Sequence, residues 1–194
     1  PSPLGSFVAI VEESSEPQKE NEVTILETRK IDFYNLERKF SNEARKIKSL
    51  KVSGKIIALD WDIKGRFLAI STSEKQIIIW DIYEEKEKLQ HIYFDKIVKN
   101  FKLSKNVEHI FVNTGDEKIM VYEVSSKEHA ANFSKHSGNV NCLDISLDGK
   151  YLISCGMDGN ICIWDISDKA LGIINQAEKR PANFFPIKDF SEKE

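Results

Sequence analysis

Nowhere in these 194 residues does an apolar run approach the 18 or so that a membrane-spanning helix requires, so membrane insertion is not expected. Nor is the opening PSPLGSF expected to be a secretory signal, because it has no basic stretch followed by an apolar one. Its PLGS looks like a cloning remnant, and residues 1–6 are set aside from the fold argument. Cysteine is scarce. The three at 142, 155 and 162 form no CxxC pair, and their odd number leaves at least one without an intrachain partner. That usage points to a reducing, intracellular setting, cytoplasmic or nuclear, with small buried thiols on strands.

Constellations that carry chemistry are equally absent. The four histidines at 91, 109, 129 and 136 do not stand at ligand spacing with one another or with the cysteines, so no metal is expected. No Gly-rich phosphate loop occurs, and Gly54, Gly65, Gly138, Gly149, Gly156 and Gly159 are all explained by turns. The expectation is a non-enzyme without a cofactor. Net charge is only −3 although 30% of the residues are charged, the balance of an ordinary soluble chain.

What is present is a repeat. Trp80-Asp81, Tyr122-Glu123 and Trp164-Asp165 stand at even intervals along the chain, a period of 42. IIALDWDIKGRFLAISTSEKQIIIWDI, IVKNFKLSKNVEHIFVNTGDEKIMVYEV and NVNCLDISLDGKYLISCGMDGNICIWDI share one grammar of three β-rich runs. Lys64-Gly65, Lys105-Asn106 or Asp148-Gly149 separate the first two runs, residues that accept the positive φ of a tight hairpin. Glu74-Lys75, Asp116-Glu117 or Asp158-Gly159 separate the second and third. This is a β-meander. Successive apolar positions such as Phe67 to Ile70 and Ile77 to Ile79 predict strands covered on both faces.

A repeat of this period closed by Trp-Asp resembles the WD-repeat (WD40) β-propeller family, over residues 47–174. The resemblance is strong in the last unit, good in the first and degenerate in the middle. It implies an all-β propeller or partial propeller of about three to four four-stranded blades. In the family a buried network links a histidine, a serine or threonine, an aspartate and the repeat tryptophan, which carries over onto His136, Ser154, Asp158 and Trp164. The equivalents in the middle unit are Phe94, Val112, Asp116 and Tyr122, and in the first Val52, Ile70, Glu74 and Trp80, so two units lack the full set. A Ser/His/Asp catalytic triad is rejected here, because nothing supplies a nucleophile elbow.

Three units do not close a ring of about four to eight blades. Residues 7–46 read as a partial blade with a polar loop and a basic insertion. Leu26-Glu27 stands where Trp-Asp would be, further upstream of Trp80 than one period, and the excess makes room for the insertion. Within the insertion, Phe33, Leu36, Phe40, Ala44 and Ile47 fit an amphipathic helix from about Asp32 to Leu50, against a competing reading of outer strand plus loop. Residues 175–194 form a polar C-terminal tail. Such an arc leaves edges and faces for a longer chain, self-association or a subunit that completes the propeller.

WD-repeat proteins grip other proteins with residues at the loops before the first and after the second strand of each blade. By repeat position these are Lys55, Ile57 and Ser73, then Ile97, Lys99 and Gly115, then Asn139, Asn141 and Met157. The resemblance thus implies a non-catalytic scaffold in a multiprotein complex. A rival is RNA or DNA binding through residues 29–55, where nine basic residues, among them Arg38, Lys39, Arg45, Lys46, Lys48 and Lys51, face three acids.

Overall fold

The computed structural model describes residues 2, 7–12, 21–27, 46–84 and 89–167. The chain divides into two compact units, Pro1–Ile97 and Val98–Glu194. Every described element is a β-strand, so the all-β, blade-by-blade architecture is what forms.

The first unit holds two antiparallel sheets. One orders β1 (Phe7–Glu12), β2 (Asn21–Glu27) and β3 (Lys46–Val52); the other orders β4 (Ile56–Trp61), β5 (Phe67–Thr72), β6 (Gln76–Asp81) and β7 (Leu89–Tyr93). Val23, Ile25, Leu50 and Val52 of the first sheet share a core with Leu68, Ile70, Ile78 and Trp80 of the second. Each such aliphatic side chain, fully buried, contributes about 1.5–3 kcal/mol of transfer free energy. Ala69, Ile77 and Ile79, on the other face of β5 and β6, are buried as well, so this hairpin is covered on both sides.

The helix expected to run to Leu50 is not there at its C-terminal end, where Lys46–Val52 is a strand paired to β2 through Val23↔Leu50 and Asn21↔Val52. The reason lies in the period. Leu50 and Val52 are buried and Lys51 between them is exposed, a strand-like alternation that overrides the helical spacing ending at Ile47. Residues 28–45, the rest of that expectation, lie outside the described residues.

In the second unit, β8 (Asn100–Leu103), β9 (His109–Asn113), β10 (Lys118–Glu123) and β11 (His129–Ser134) make a four-stranded sheet, and β12 (Val140–Ile145), β13 (Tyr151–Gly156) and β14 (Ile161–Asp165) a three-stranded one. Their shared core contains Phe111, Phe133 and Trp164, with Phe133 stacked on Trp164 at 5.0 Å between ring centroids.

The repeat is visible in individual hydrogen bonds. At the first hairpin of each repeat, the N–H of Gly65, Val107 and Gly149 donates to the carbonyl of Asp62, Ser104 and Ser146 at 2.9, 2.9 and 2.8 Å. These three donors follow one another at exactly the repeat interval, and all three adopt positive φ, at 68°, 60° and 75°. In the middle repeat the left-handed position falls on Val107, just beyond the expected Lys105-Asn106. A β-branched residue is disfavoured there by the clash of its Cβ with the backbone. The Trp-Asp dipeptide also has a local role. Asp81 and Asp165 accept from the N–H two positions on, Tyr83 at 3.1 Å and Ser167 at 2.9 Å, while Glu123 receives the hydroxyls of Ser125 and Ser126.

Val107→Gly is expected to stabilise the chain by up to about 1 kcal/mol, by relieving the left-handed strain. Gly149→Ala, whose new Cβ would stand 2.7 Å from the Cβ of Lys105, is expected to destabilise it. Urea unfolding midpoints of the two variants should therefore move in opposite directions.

Candidate functional site

The four residues that the resemblance implied converge in the second unit. Ser154 lies in β13 and Trp164 in β14, on the buried face of their sheet. His136 enters from the loop before β12, and Asp158 sits in the turn after β13. The Trp164 indole N–H donates to Ser154 Oγ at 2.8 Å, and Ser154 Oγ lies 2.8 Å from His136 Nε2. His136 Nδ1 is 3.0 and 3.1 Å from the two carboxylate oxygens of Asp158. A carboxylate only accepts, so Nδ1 carries the proton. Nε2 then accepts the Ser154 hydroxyl, and every polar side-chain atom along this path is satisfied.

Asp158 also accepts the backbone N–H of Ser137 at 2.9 Å and of Asn160 at 3.1 Å. Burial pulls its carboxyl upward, but these two N–H groups and His136 outweigh it and hold the group well below the usual carboxylate range. One aspartate thus ties the loop before β12 to the turn after β13.

Gly156 is the member that the sequence did not reveal. A Cβ there would meet His136 Nδ1 at 2.6 Å and Asp158 Oδ1 at 2.7 Å. The turn expected at Gly156 is not what requires it: the residue ends strand β13 and its φ is not positive. The signal was comparative, because Thr72 and Thr114 occupy the same repeat position in the other repeats, where no histidine has to be accommodated.

The connectivity of serine, histidine and aspartate matches that of a nucleophilic relay. However, Ser154 is fully buried and its oxygen already accepts an indole N–H, so no acyl group can approach it. This set is a structural clamp.

In the first unit the equivalent positions hold Val52, Ile70 and the exposed Glu74, and Trp80 packs in the core with its indole N–H buried and without a partner. Ile70 replaces the serine oxygen with a methyl group. Asp81 is held differently, by the Arg66 guanidinium at 2.6 Å; against the upward pull of burial, Arg66 and the Tyr83 N–H keep its carboxyl below the ordinary range.

The candidate binding residues come together in pairs at one end of each sheet. Lys55 and Ser73 exchange backbone and side-chain hydrogen bonds, the Lys55 N–H to Ser73 Oγ at 2.9 Å and the Ser73 N–H to the Lys55 carbonyl at 2.8 Å. The Met157 N–H reaches the Asn139 carbonyl at 2.8 Å, the same contact two repeats later. The Lys99 side chain lies across Gly115. Asn139 and Asn141 are exposed, and so are Ile57 at 37%, Ile97 at 39% and Met157 at 71%.

The basic segment is barely represented. Arg38, Lys39 and Arg45 lie outside the described residues, as does the side chain of Lys46. Lys48 donates to the Glu84 carbonyl, and Lys51 is exposed. Not all three cysteines are the buried thiols expected. Cys162 is in the core, Cys155 is half-buried and Cys142 is exposed, because it falls on the outward face of β12. No group of three or more metal-ligating side chains exists among the described residues.

Antiparallel meanders at a fixed period, two of them carrying Trp-Asp and the last also a His-Ser-Asp-Trp clamp, define a WD-repeat module. Comparison with known proteins agrees: the family "WD domain, G-beta repeat" matches residues 44–81 and 127–165. Those two segments are WD repeats, and the chain resembles the WD-repeat family. It is 25% identical over 105 residues to transcription factor unc-37 of Caenorhabditis elegans, covering 54% of this chain and 17% of that protein. It is 40% identical over 52 residues to human transducin beta-like protein 2, covering 27% of this chain and 12% of the relative. Methylosome protein WDR77 of Xenopus laevis is 25% identical over 109 residues, 53% of this chain and 32% of that protein. The chain therefore spans no more than about a third of any of these three relatives.

Ser154→Ala is expected to cost about 2–3 kcal/mol, since it orphans both the indole N–H and the imidazole. Trp164→Phe should be more damaging than Trp80→Phe, because only the former breaks a satisfied hydrogen bond; comparing urea midpoints tests this. Asp158 binds its proton less readily folded than unfolded. Its contribution is present above the unfolded carboxyl value of about pH 4 and is lost as the pH falls below it. The acid limb of the stability profile should therefore be shallower in Asp158→Asn than in the parent chain.

Proposed function

We propose that the chain is a non-catalytic scaffold that binds other proteins within a multiprotein assembly of the cytoplasm or nucleus. The observation that carries this reading is the outward face of the β12–β14 sheet. Tyr151 is 44% exposed, Ile153 36% and Ile161 39%, with Met157 projecting from the adjoining turn. At the positions equivalent to Ile153 and Ile161 in the first repeat, Ala69 and Ile77 are fully buried. A contiguous apolar surface on a rigid sheet concentrates binding energy, whereas scattered exposed residues do not. The resemblance to the WD-repeat family supports the same reading, and two relatives bear the names of a transcription factor and a methylosome protein.

The loop-end residues Lys55, Ile57, Ser73, Ile97, Lys99, Gly115, Asn139, Asn141 and Met157 extend the candidate surface within their own units. A rigid backbone end beside an apolar sheet face suits an extended peptide, whose side chains dock while its polar backbone stays wet. A partner carrying further blades, or a second copy of this chain, belongs to the same class of protein ligand.

Affinity purification from source lysate, with stoichiometry measured by mass spectrometry, provides the test. A near-equimolar protein should be recovered by the parent chain, lost with Ile153→Asp and Met157→Asp, and retained when salt is raised. Recovery of nucleic acid that falls steeply with salt, and that depends on Lys48 and Lys51 rather than on Ile153 and Met157, would replace this reading with the nucleic-acid one.

A further inference from the structure

The same sheet face carries two thiols side by side. Cys142 of β12 and Cys155 of β13 are directly opposed in the antiparallel register, and directly opposed residues project from the same face. In antiparallel pairs such Cα atoms stand about 4.5–5.5 Å apart, inside the range that a disulfide spans. Cys142 is exposed and Cys155 half-buried; Cys162, opposite Ser154, points to the core on the other face and cannot reach either.

The position is a repeated one. Ala58↔Ser71 in the first repeat and Asn100↔Asn113 in the middle are the same cross-strand pair, two periods and one period upstream. The fold therefore does not require thiols there. Beside the pair in the last repeat, Asn141 is the extra residue of a β-bulge, since Val140 opposes Gly156 while Cys142 opposes Cys155. That bulge connects Asn139 to the strand.

We propose that Cys142 and Cys155 are a redox pair, closed to a disulfide by a hydroperoxide and reopened by a thiol reductant, whose closure pins the bulge at Asn141. Cys142 is the exposed thiol and meets the oxidant. Its thiolate attacks the terminal peroxide oxygen, the O–O bond breaks, and water or an alcohol leaves with Cys142 as the sulfenic acid. The Cys155 thiolate then attacks Cys142 Sγ, the S–O bond breaks, and hydroxide departs to be protonated to water. Two thiols lose two hydrogens and the peroxide is reduced. Burial, followed by hydrogen bonding and charge from Cys142, pushes the Cys155 thiol up, so Cys155 is not the thiol that meets the peroxide first.

Lys150 lies between the two cysteines, so trypsin separates them into the peptides 136–150 and 151–169. After treatment of Cys162→Ser with hydrogen peroxide and blocking of the remaining thiols, these peptides should be recovered as one species, two hydrogens lighter than their sum. Dithiothreitol should split it. Cys142→Ser and Cys155→Ser should each abolish it while retaining the parent's thermal unfolding, as Ala58 and Ser71 in the first repeat indicate. Amide exchange at Asn141 and Cys142 should slow in the oxidised chain. Advance of Cys142 to the sulfinic acid with Cys155 unmodified, or linkage only between two chains, would overturn the pair. Unchanged exchange at Asn141 would overturn the pinning.

Discussion

The second unit depends on one oxygen atom. Ser154 Oγ accepts the indole N–H of Trp164 and joins it to His136, and through His136 to Asp158, so a single hydroxyl decides whether the indole and the imidazole Nε2 are both satisfied. The surrounding core of Phe111, Phe133 and Leu152 offers no side-chain hydrogen-bonding atom in its place. The clamp fixes the direction of chain entry into β12 and the shape of the turn leaving β13. Those two segments present Asn139 and Met157, and the rigidity of the candidate surface follows from the buried hydroxyl behind it.

The first unit shows what the same scaffold does without that atom. Val52, Ile70, Ile78 and Leu68 pack around Trp80 as an apolar cluster, and the indole N–H goes unpartnered. An unmade hydrogen bond in a buried site costs about 1–3 kcal/mol, which dense aliphatic packing has to offset. The Arg66 pair to Asp81 joins the start of β5 to the end of β6, the opposite end of the hairpin from the turn that Asp158 secures in the last repeat. Two solutions to one backbone geometry coexist in one polypeptide, one polar and specific, the other apolar and adaptable.

The meander, the hairpin positions and the members of the clamp were legible in the sequence because each rests on a local pattern: an even spacing, a glycine at a left-handed position, a Trp-Asp at a strand end. What escaped was settled by neighbours distant in sequence. Lys46–Val52 is a strand because β2 offers it an edge and a core, which a helical spacing ending at Ile47 could not disclose. Gly156 matters through the ring of His136, which reaches it from the far side of the β12–β13 hairpin. The exposure of Cys142 depended on which face of β12 looks outward, and the bulge at Asn141 changes that parity within the strand. For Arg38, Lys39 and Arg45, the charge pattern is a matter of sequence alone.

Every sheet is built from strands consecutive in the chain, each paired to its immediate predecessor or successor. Most of these pairs are separated by short turns, so the loop that closes them is small and its entropy loss modest. The order in which the ribosome releases the residues is therefore also an order in which hairpins can close, from β4 onward, with each zipped before the next segment emerges. The long connection from β2 to β3 is the exception, and the first sheet must wait for its third strand while the polypeptide between them is still being made.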